Sequence, residues 1–140
     1  MSHTLRQYIY VIKPKMDYIK LLENKLKNYK FYCIKVKLGT QKTNEFYNFD
    51  DIKITSPFLH KRQNIKCQIC FIKDCGDFFR AKTFEIDFEL EILIKCLKCG
   101  LFFKSEEEFE KHKLCYHYYI STSTTSIGTS TGTSTKNLTD

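Results

Sequence analysis

Four residues constrain this chain more than any others: Cys96, Cys99, His112 and His117, spaced C-x2-C-x12-H-x4-H. Thiolate sulfur and imidazole nitrogen are the donors of a closed tetrahedral metal site. Two such pairs separated by a dozen residues meet only if the chain between them folds back on itself. The 140 residues hold 7 cysteines, an odd number that excludes a fully paired disulfide framework within one chain. No secretory leader is expected at the N-terminus, and no apolar run is long enough to span a membrane. Metal binding is therefore the reading of the cysteine excess, and an intracellular setting goes with it.

The residues between the two pairs read as a helix with its own stop and start signals. Ser105 followed by Glu108 is a capping box, so a helix is expected to begin at Ser105. Glu106, Glu107 and Glu108 fall in its first turn and Lys111 and Lys113 toward its end, as the helix macrodipole favours. Phe109 and His112, three apart, share a face. His117 lies five beyond His112, so the last turn has to loosen, and a shift toward 3-10 geometry is expected.

With Phe103 and Phe109 at their places between the pairs, segment 94–117 resembles the C2H2 zinc-finger family. That resemblance implies a ββα unit, with Cys96 and Cys99 on a hairpin, His112 and His117 on the helix, Zn(2+) as the cofactor, and the two phenylalanines in a miniature core. Four protein ligands leave no open position for water, so the zinc would be structural and not catalytic. The resemblance also implies nucleic-acid binding, with Ser105, Glu108 and Lys111 at the base-facing positions. Glu106, Glu107, Glu108 and Glu110 crowd that helix, however, and four carboxylates repel a phosphate lattice.

A second group is open to several readings. Cys67, Cys70 and Cys75 are spaced C-x2-C-x4-C, and His60 precedes them by seven residues. These four could form a second metal site. Alternatively Cys67, Cys70, Cys96 and Cys99 read C-x2-C-x25-C-x2-C, a zinc ribbon that competes with the finger for two of its ligands. A third reading makes Cys67, Cys70 and Cys75 buried or free thiols. Cys33 alternates with buried positions and reads as structural, and Cys115 falls between the two histidines as a non-ligand.

Upstream, Tyr8–Ile12 is a short β-branched and aromatic run stopped by Pro14, read as a strand. Met16, Ile19, Leu22, Leu26 and Tyr29 recur at helical spacing among lysines. Tyr32, Ile34, Val36 and Leu38 then alternate with Lys35 and Lys37, closed by Gly39. Together these predict a β-α-β unit with the helix on a sheet, without the glycine-rich turn of a dinucleotide fold. A short strand is expected around Ile52 and Ile54. Phe84 through Lys95 alternates apolar with acidic residues and predicts one long strand with a wet face, running into Cys96. The expected fold class is α+β. The division reads as a basic β-α-β region over 1–60, a Cys-containing segment and long strand over 61–95, the finger over 94–117, and a disordered Ser/Thr-rich tail over 118–140.

Charge is uneven. Residues 1 to 66 carry 14 Lys/Arg against 5 Asp/Glu, so attraction to DNA or RNA is expected there, mainly through Lys20, Lys25 and Lys27, with Lys111 on the finger helix. Lysine dominates over arginine, which suits phosphate attraction more than base reading. Lysines interleave with Tyr8, Tyr10, Tyr18, Tyr29 and Tyr32, which either stack on bases or fill the core. No catalytic motif stands in the chain, so an enzyme is not expected. The function expected is that of a small nuclear C2H2-finger protein that binds nucleic acid in transcription regulation or a similar process. The alternative is a protein–protein adaptor whose zinc only holds shape.

Overall fold

The structure, a computed structural model, describes residues 5–50 and 52–114. The expectations for His117, Cys115 and the 118–140 tail lie outside the described residues. The chain divides into two units. One is Gln7–Ile92; the other is Leu93 onward together with the N-terminal residues through Arg6. The boundary expected near residue 60 thus falls inside the first unit.

In chain order the elements are β1 (Arg6–Pro14), α1 (Met16–Lys25), β2 (Lys30–Leu38), β3 (Asn44–Phe46), β4 (Lys53–Ser56), β5 (Ile65–Asp74), β6 (Phe79–Glu85), β7 (Phe88–Cys96), β8 (Phe102–Phe103) and α2 (Glu106–His112). The class is α+β. In the Gln7–Ile92 unit one sheet has the order β3-β2-β5-β6, with antiparallel pairing throughout. Another has β4, β1 and β7 as successive neighbours. Alternating burial follows from the period of two: Tyr8, Tyr10 and Ile12 on β1, Ile34, Val36 and Leu38 on β2, Ile54 and Ser56 on β4, and Ile65, Cys67, Ile69 and Phe71 on β5 are all buried.

The fold departs from the sequence expectations at four places. The β-α-β order is present, but β1 and β2 lie in different sheets. Each finds an antiparallel neighbour, β4 for β1 and β5 for β2, and α1 buries only Ile19 and Leu22, too narrow a stripe for a helix covering a sheet. The long strand expected over Phe84–Lys95 is two strands, β6 and β7, in different sheets. The chain crosses at Ile86 and Asp87, where the backbone N–H of Ile86 donates to Cys67 O at 3.0 Å and Asp87 O accepts from Lys15 N–H at 3.0 Å. The alternation survives because Ile86 and Phe88 are both buried on either side of the crossing. Tyr32 does not join Ile34, Val36 and Leu38 inside, because the register shifts between Phe31 and Cys33. One irregular residue moves a side chain to the other face, and Tyr32 is exposed. Finally, the segment read as metal-binding around Cys67 is the strand β5.

Tyr10, fully buried, ties this unit's irregular segment to β1. Its hydroxyl donates to Phe58 O at 2.7 Å and accepts from the His60 N–H at 2.7 Å, so a buried phenol has both roles satisfied.

Candidate metal centre

The second unit is built around a hairpin and a short helix. The end of β7 pairs with β8 antiparallel, Ile94 opposite Phe103 and Lys95 opposite Phe102. The reversal between them is closed by Gly100 N–H on Cys96 O at 2.7 Å and Cys96 N–H on Leu101 O at 2.9 Å. Gly100 has φ +78°, the left-handed region that a side chain disfavours. This turn carries Cys96 and Cys99 at its two ends.

Ser105 caps α2. Its hydroxyl oxygen accepts from the Glu108 N–H at 3.2 Å, which places Glu106, Glu107 and Glu108 in the first turn. The Glu108 carboxylate reaches back to the Lys104 N–H at 3.5 Å, one residue earlier than a full capping box requires. Phe109 and His112 are the buried residues of α2. Phe103 packs edge-on against Phe109 at 5.9 Å and lies 4.7 Å from the His112 ring. After His112 the backbone widens to a π turn at Lys113 and Leu114. The 3-10 turn expected from the histidine spacing depends on residues 115–117, which lie outside the described residues.

The consequence is a cluster of donors. One ligand atom each from Cys96, Cys99 and His112 lies within 4.8 Å of the others. Cys99 Sγ and His112 Nε2 are 3.2 Å apart. Ligand atoms sharing a tetrahedral zinc stand roughly 3.5 to 3.8 Å apart, given bonds of about 2.3 Å to sulfur and about 2.0 Å to nitrogen. The Cys99–His112 pair is therefore within a few tenths of an ångström of metal geometry, the Cys96 sulfur lies within 4.8 Å of both, and the Cys/Cys/His donors suit a borderline-soft ion. Cys96 and His112 are buried while Cys99 is exposed. His117 lies outside the described residues.

An arginine that the sequence reading passed over completes this unit. Arg6 sits with its guanidinium carbon 4.5 Å from the Phe109 ring centroid. It is salt-bridged to Glu106 and, at 2.6 Å, to Glu110. Leu5 O accepts from the Leu97 N–H at 2.9 Å. Lys113 also pairs with Glu110 at 3.0 Å. These two cations, Lys113 first, hold the Glu110 carboxyl below the usual carboxylate range. No spacing rule links residue 6 to residue 109, so only the fold reveals the partnership.

The second proposed metal group does not assemble. Among the described residues the one group of three or more ligand atoms within reach is Cys96, Cys99 and His112. Cys67 and Cys70 lie on one continuous strand, where a spacing of three puts them on opposite faces, and each is buried. Cys70 stands opposite Cys33 in the ladder, and Cys67 opposite Val36. Burial pushes the Cys67 thiol up to about 12 and that of Cys33 up to about 11, the latter aided by the neighbouring Cys70. In the metal-free fold both thiols stay protonated near neutral pH. Cys75 sits in the β5–β6 turn, its thiol facing Lys73 O at 3.9 Å. His60 packs near Tyr10, with ring centroids 5.9 Å apart. The opposed faces of Cys67 and Cys70 also remove the knuckle a ribbon needs.

The candidate nucleic-acid contacts fall on both units, Lys20, Lys25 and Lys27 on one and Lys111 on the other. Lys20 and Lys25 are exposed on α1 and Lys27 follows it. Lys111 is exposed on α2, 4.0 Å from Glu107. The tyrosines divide: Tyr8 and Tyr10 are in the core, Tyr18 and Tyr32 are exposed, and Tyr29 is engaged by Lys82 and Lys73, at 5.2 and 5.9 Å from its ring. Among the described residues no helix is long and apolar enough to cross a membrane.

No protein-family model, no curated protein and no solved structure matches this chain.

Proposed function

We propose that the chain is a zinc-binding protein that acts by binding and not by catalysis. Segment 94–117 would be a C2H2 finger held by Cys96, Cys99, His112 and His117. The observation that carries this is the convergence of the Cys96, Cys99 and His112 ligand atoms within 4.8 Å of one another, at the spacing read from the sequence. When bound, zinc would supply folding free energy to a unit whose buried apolar residues, among the described ones, are Ile94, Cys96 and Phe109. Metal analysis of purified protein tests it: one zinc per chain is expected, lost on Cys99→Ser and on His117→Ala. Full metal content in either variant overturns the ligand set.

The partner we favour is DNA or RNA, attracted by the basic first half, with a nuclear role in transcription or a related process. Its support is the charge of residues 1–66, with Lys20, Lys25 and Lys27 exposed and Tyr18 exposed beside them. A second reading, a protein-contacting adaptor with a shape-holding zinc, is favoured by α2 itself. Ser105 is spent on the cap and Glu108 is turned toward the Lys104 N–H, so two of the three base-facing positions are occupied. A titration of binding to oligonucleotides at several salt concentrations separates the two, since a protein adaptor shows no salt-dependent affinity for nucleic acid.

A further inference from the structure

A cleft of about 490 Å³ opens on the Gln7–Ile92 unit, between the end of β2, the turn at Gly39 and Thr40, and the segment from His60 to Lys66. No carboxylate is among the residues lining it. At its rim Lys37 of β2 and Lys66 of β5 are direct cross-strand partners. Like charges placed opposite each other on a sheet destabilise it unless something neutralises them. Both are exposed, and among the described residues neither is salt-bridged to an acid.

His60 adds a donor. The Ser56 hydroxyl oxygen accepts from Gln41 Nε2 at 3.1 Å and from the Phe58 N–H at 3.1 Å. Its own proton is then left for His60 Nε2, 3.5 Å away. In the tautomer in which the Ser56 hydroxyl donates to Nε2, the ring proton is on Nδ1. Nδ1 faces the turn: a Cβ at position 39 would stand 3.0 Å from it. Gly39 also has φ +57°, and its N–H donates to Asn64 O at 2.7 Å, which holds this wall of the cleft closed. A glycine is thus required here by conformation and by space together.

We propose that this cleft binds a phosphate group. Two ammonium groups and the imidazole N–H, with the amides of Gln63 and Asn64 and the Thr40 hydroxyl nearby, offer more donors than one carboxylate has acceptor positions. They suit a multi-oxygen anion of charge near two. The volume exceeds that of a bare phosphate, leaving room for what the group is attached to. Its source is either a free nucleotide or the backbone of a nucleic-acid strand; the recognition chemistry is the same. The proposal does not rest on the metal site, which lies in the other unit.

The test is an NMR titration of the full chain with sodium phosphate against sodium chloride at matched ionic strength, repeated with adenosine monophosphate and with a short oligothymidylate. Saturating amide shifts at Gly39, Thr40, Asn64 and Lys66 are expected. Lys37→Gln and Lys66→Gln should each weaken binding about tenfold, the loss of one charge-assisted contact. Both positions are exposed, so both variants keep the fold, and the paired Arg replacements should restore binding. Tighter binding per phosphate to the oligothymidylate identifies the backbone as source, and equal binding identifies the free nucleotide. The proposal is overturned if none of the phosphate probes moves these amides beyond the chloride control. It is equally overturned if the shifts persist unchanged in the Lys37→Gln, Lys66→Gln double variant.

Discussion

The guanidinium of Arg6 lies 4.5 Å from the ring centroid of Phe109, so a residue from the start of the chain covers the core of its C-terminal unit. The same group bridges Glu106 and Glu110, four apart on one face of α2. Two of the helix's four acids are thereby neutralised within the unit. The C-terminal unit is therefore not a free-standing segment beginning at residue 94, since Arg6 belongs to it.

Arg6→Ala should accordingly loosen α2. The ring stack contributes about 1 to 2 kcal/mol for a largely desolvated cation. The two ion pairs add little, since both glutamates are nearly half exposed and screened by solvent. Hydrogen exchange read residue by residue should show faster exchange at Phe109 and His112, with β5 unchanged. Arg6→Lys should recover only part of the loss, because an ammonium cannot stack and fork at once. Unaltered protection of α2 in Arg6→Ala would remove Arg6 from the unit's energetics.

The thiols should fall into two chemical classes. In metal-loaded protein Cys33, Cys67 and Cys70 are expected to resist alkylation because all three are buried, and burial also raises the thiol pKa of Cys33 and Cys67. Cys99 is exposed and should be protected by the metal instead. Adding a chelator should therefore expose Cys99 to iodoacetamide while leaving Cys67 slow, as peptide mass mapping would show. Cys67→Ser should retain the metal. Metal loss on Cys67→Ser would restore the ribbon reading that the strand geometry removed.

The acid side of stability should carry a contribution from Asp87. Lys15 at 2.9 Å, the Phe88 N–H at 2.9 Å and Arg62 at 2.8 Å all favour its charged form and lower its pKa from the ordinary value of 3.8. A carboxyl lowered on folding stabilises the native state above its unfolded pKa, and that contribution is lost as pH falls through the folded value. Denaturant unfolding of the Gln7–Ile92 unit should thus lose stability below about pH 4, and Asp87→Asn should flatten that fall without altering the slope near neutrality. An acid limb identical in Asp87→Asn and the parent would show that the crossing between β6 and β7 does not depend on this carboxylate.

How much of this was legible in the sequence follows from the range of each signal. The cap at Ser105, the shared face of Phe109 and His112, and the Cys96–Cys99 turn are all set by neighbours within a few residues, and spacing reveals such features. The two strands hidden in Phe84–Lys95 were not legible, because a period of two is continuous across the crossing at Ile86 and Asp87. Strand β5 was missed for a related reason. Ile65, Cys67, Ile69 and Phe71 alternate plainly, but Cys67 and Cys70 also match a ligand spacing, and the ligand reading displaced the strand. Arg6 on Phe109 and Lys37 opposite Lys66 are products of long-range pairing, for which one sequence carries no local sign.

If nucleic acid is the partner, affinity should reside in the basic first half and behave as phosphate attraction. Lys20, Lys25 and Lys27 are exposed, and among the described residues none of the three is salt-bridged to an acid. Each that contacts a phosphate releases a counterion, so log K on duplex DNA should fall with log salt by about 0.9 per contact. The triple replacement Lys20→Gln, Lys25→Gln, Lys27→Gln should weaken binding to all sequences alike and reduce that slope by up to about three contacts' worth. Ser105→Ala with Lys111→Ala should change sequence preference little, because Ser105 serves as the helix cap and Lys111 faces Glu107. The cap loss itself costs about 1 kcal/mol of helix stability, which a parallel melt would measure and separate from any binding effect. The contrary result is a sequence preference that disappears in the Ser105 and Lys111 variant while the triple lysine variant binds normally. That outcome would place base reading on α2 in spite of its four glutamates, and would move the partner surface from the first unit to the second.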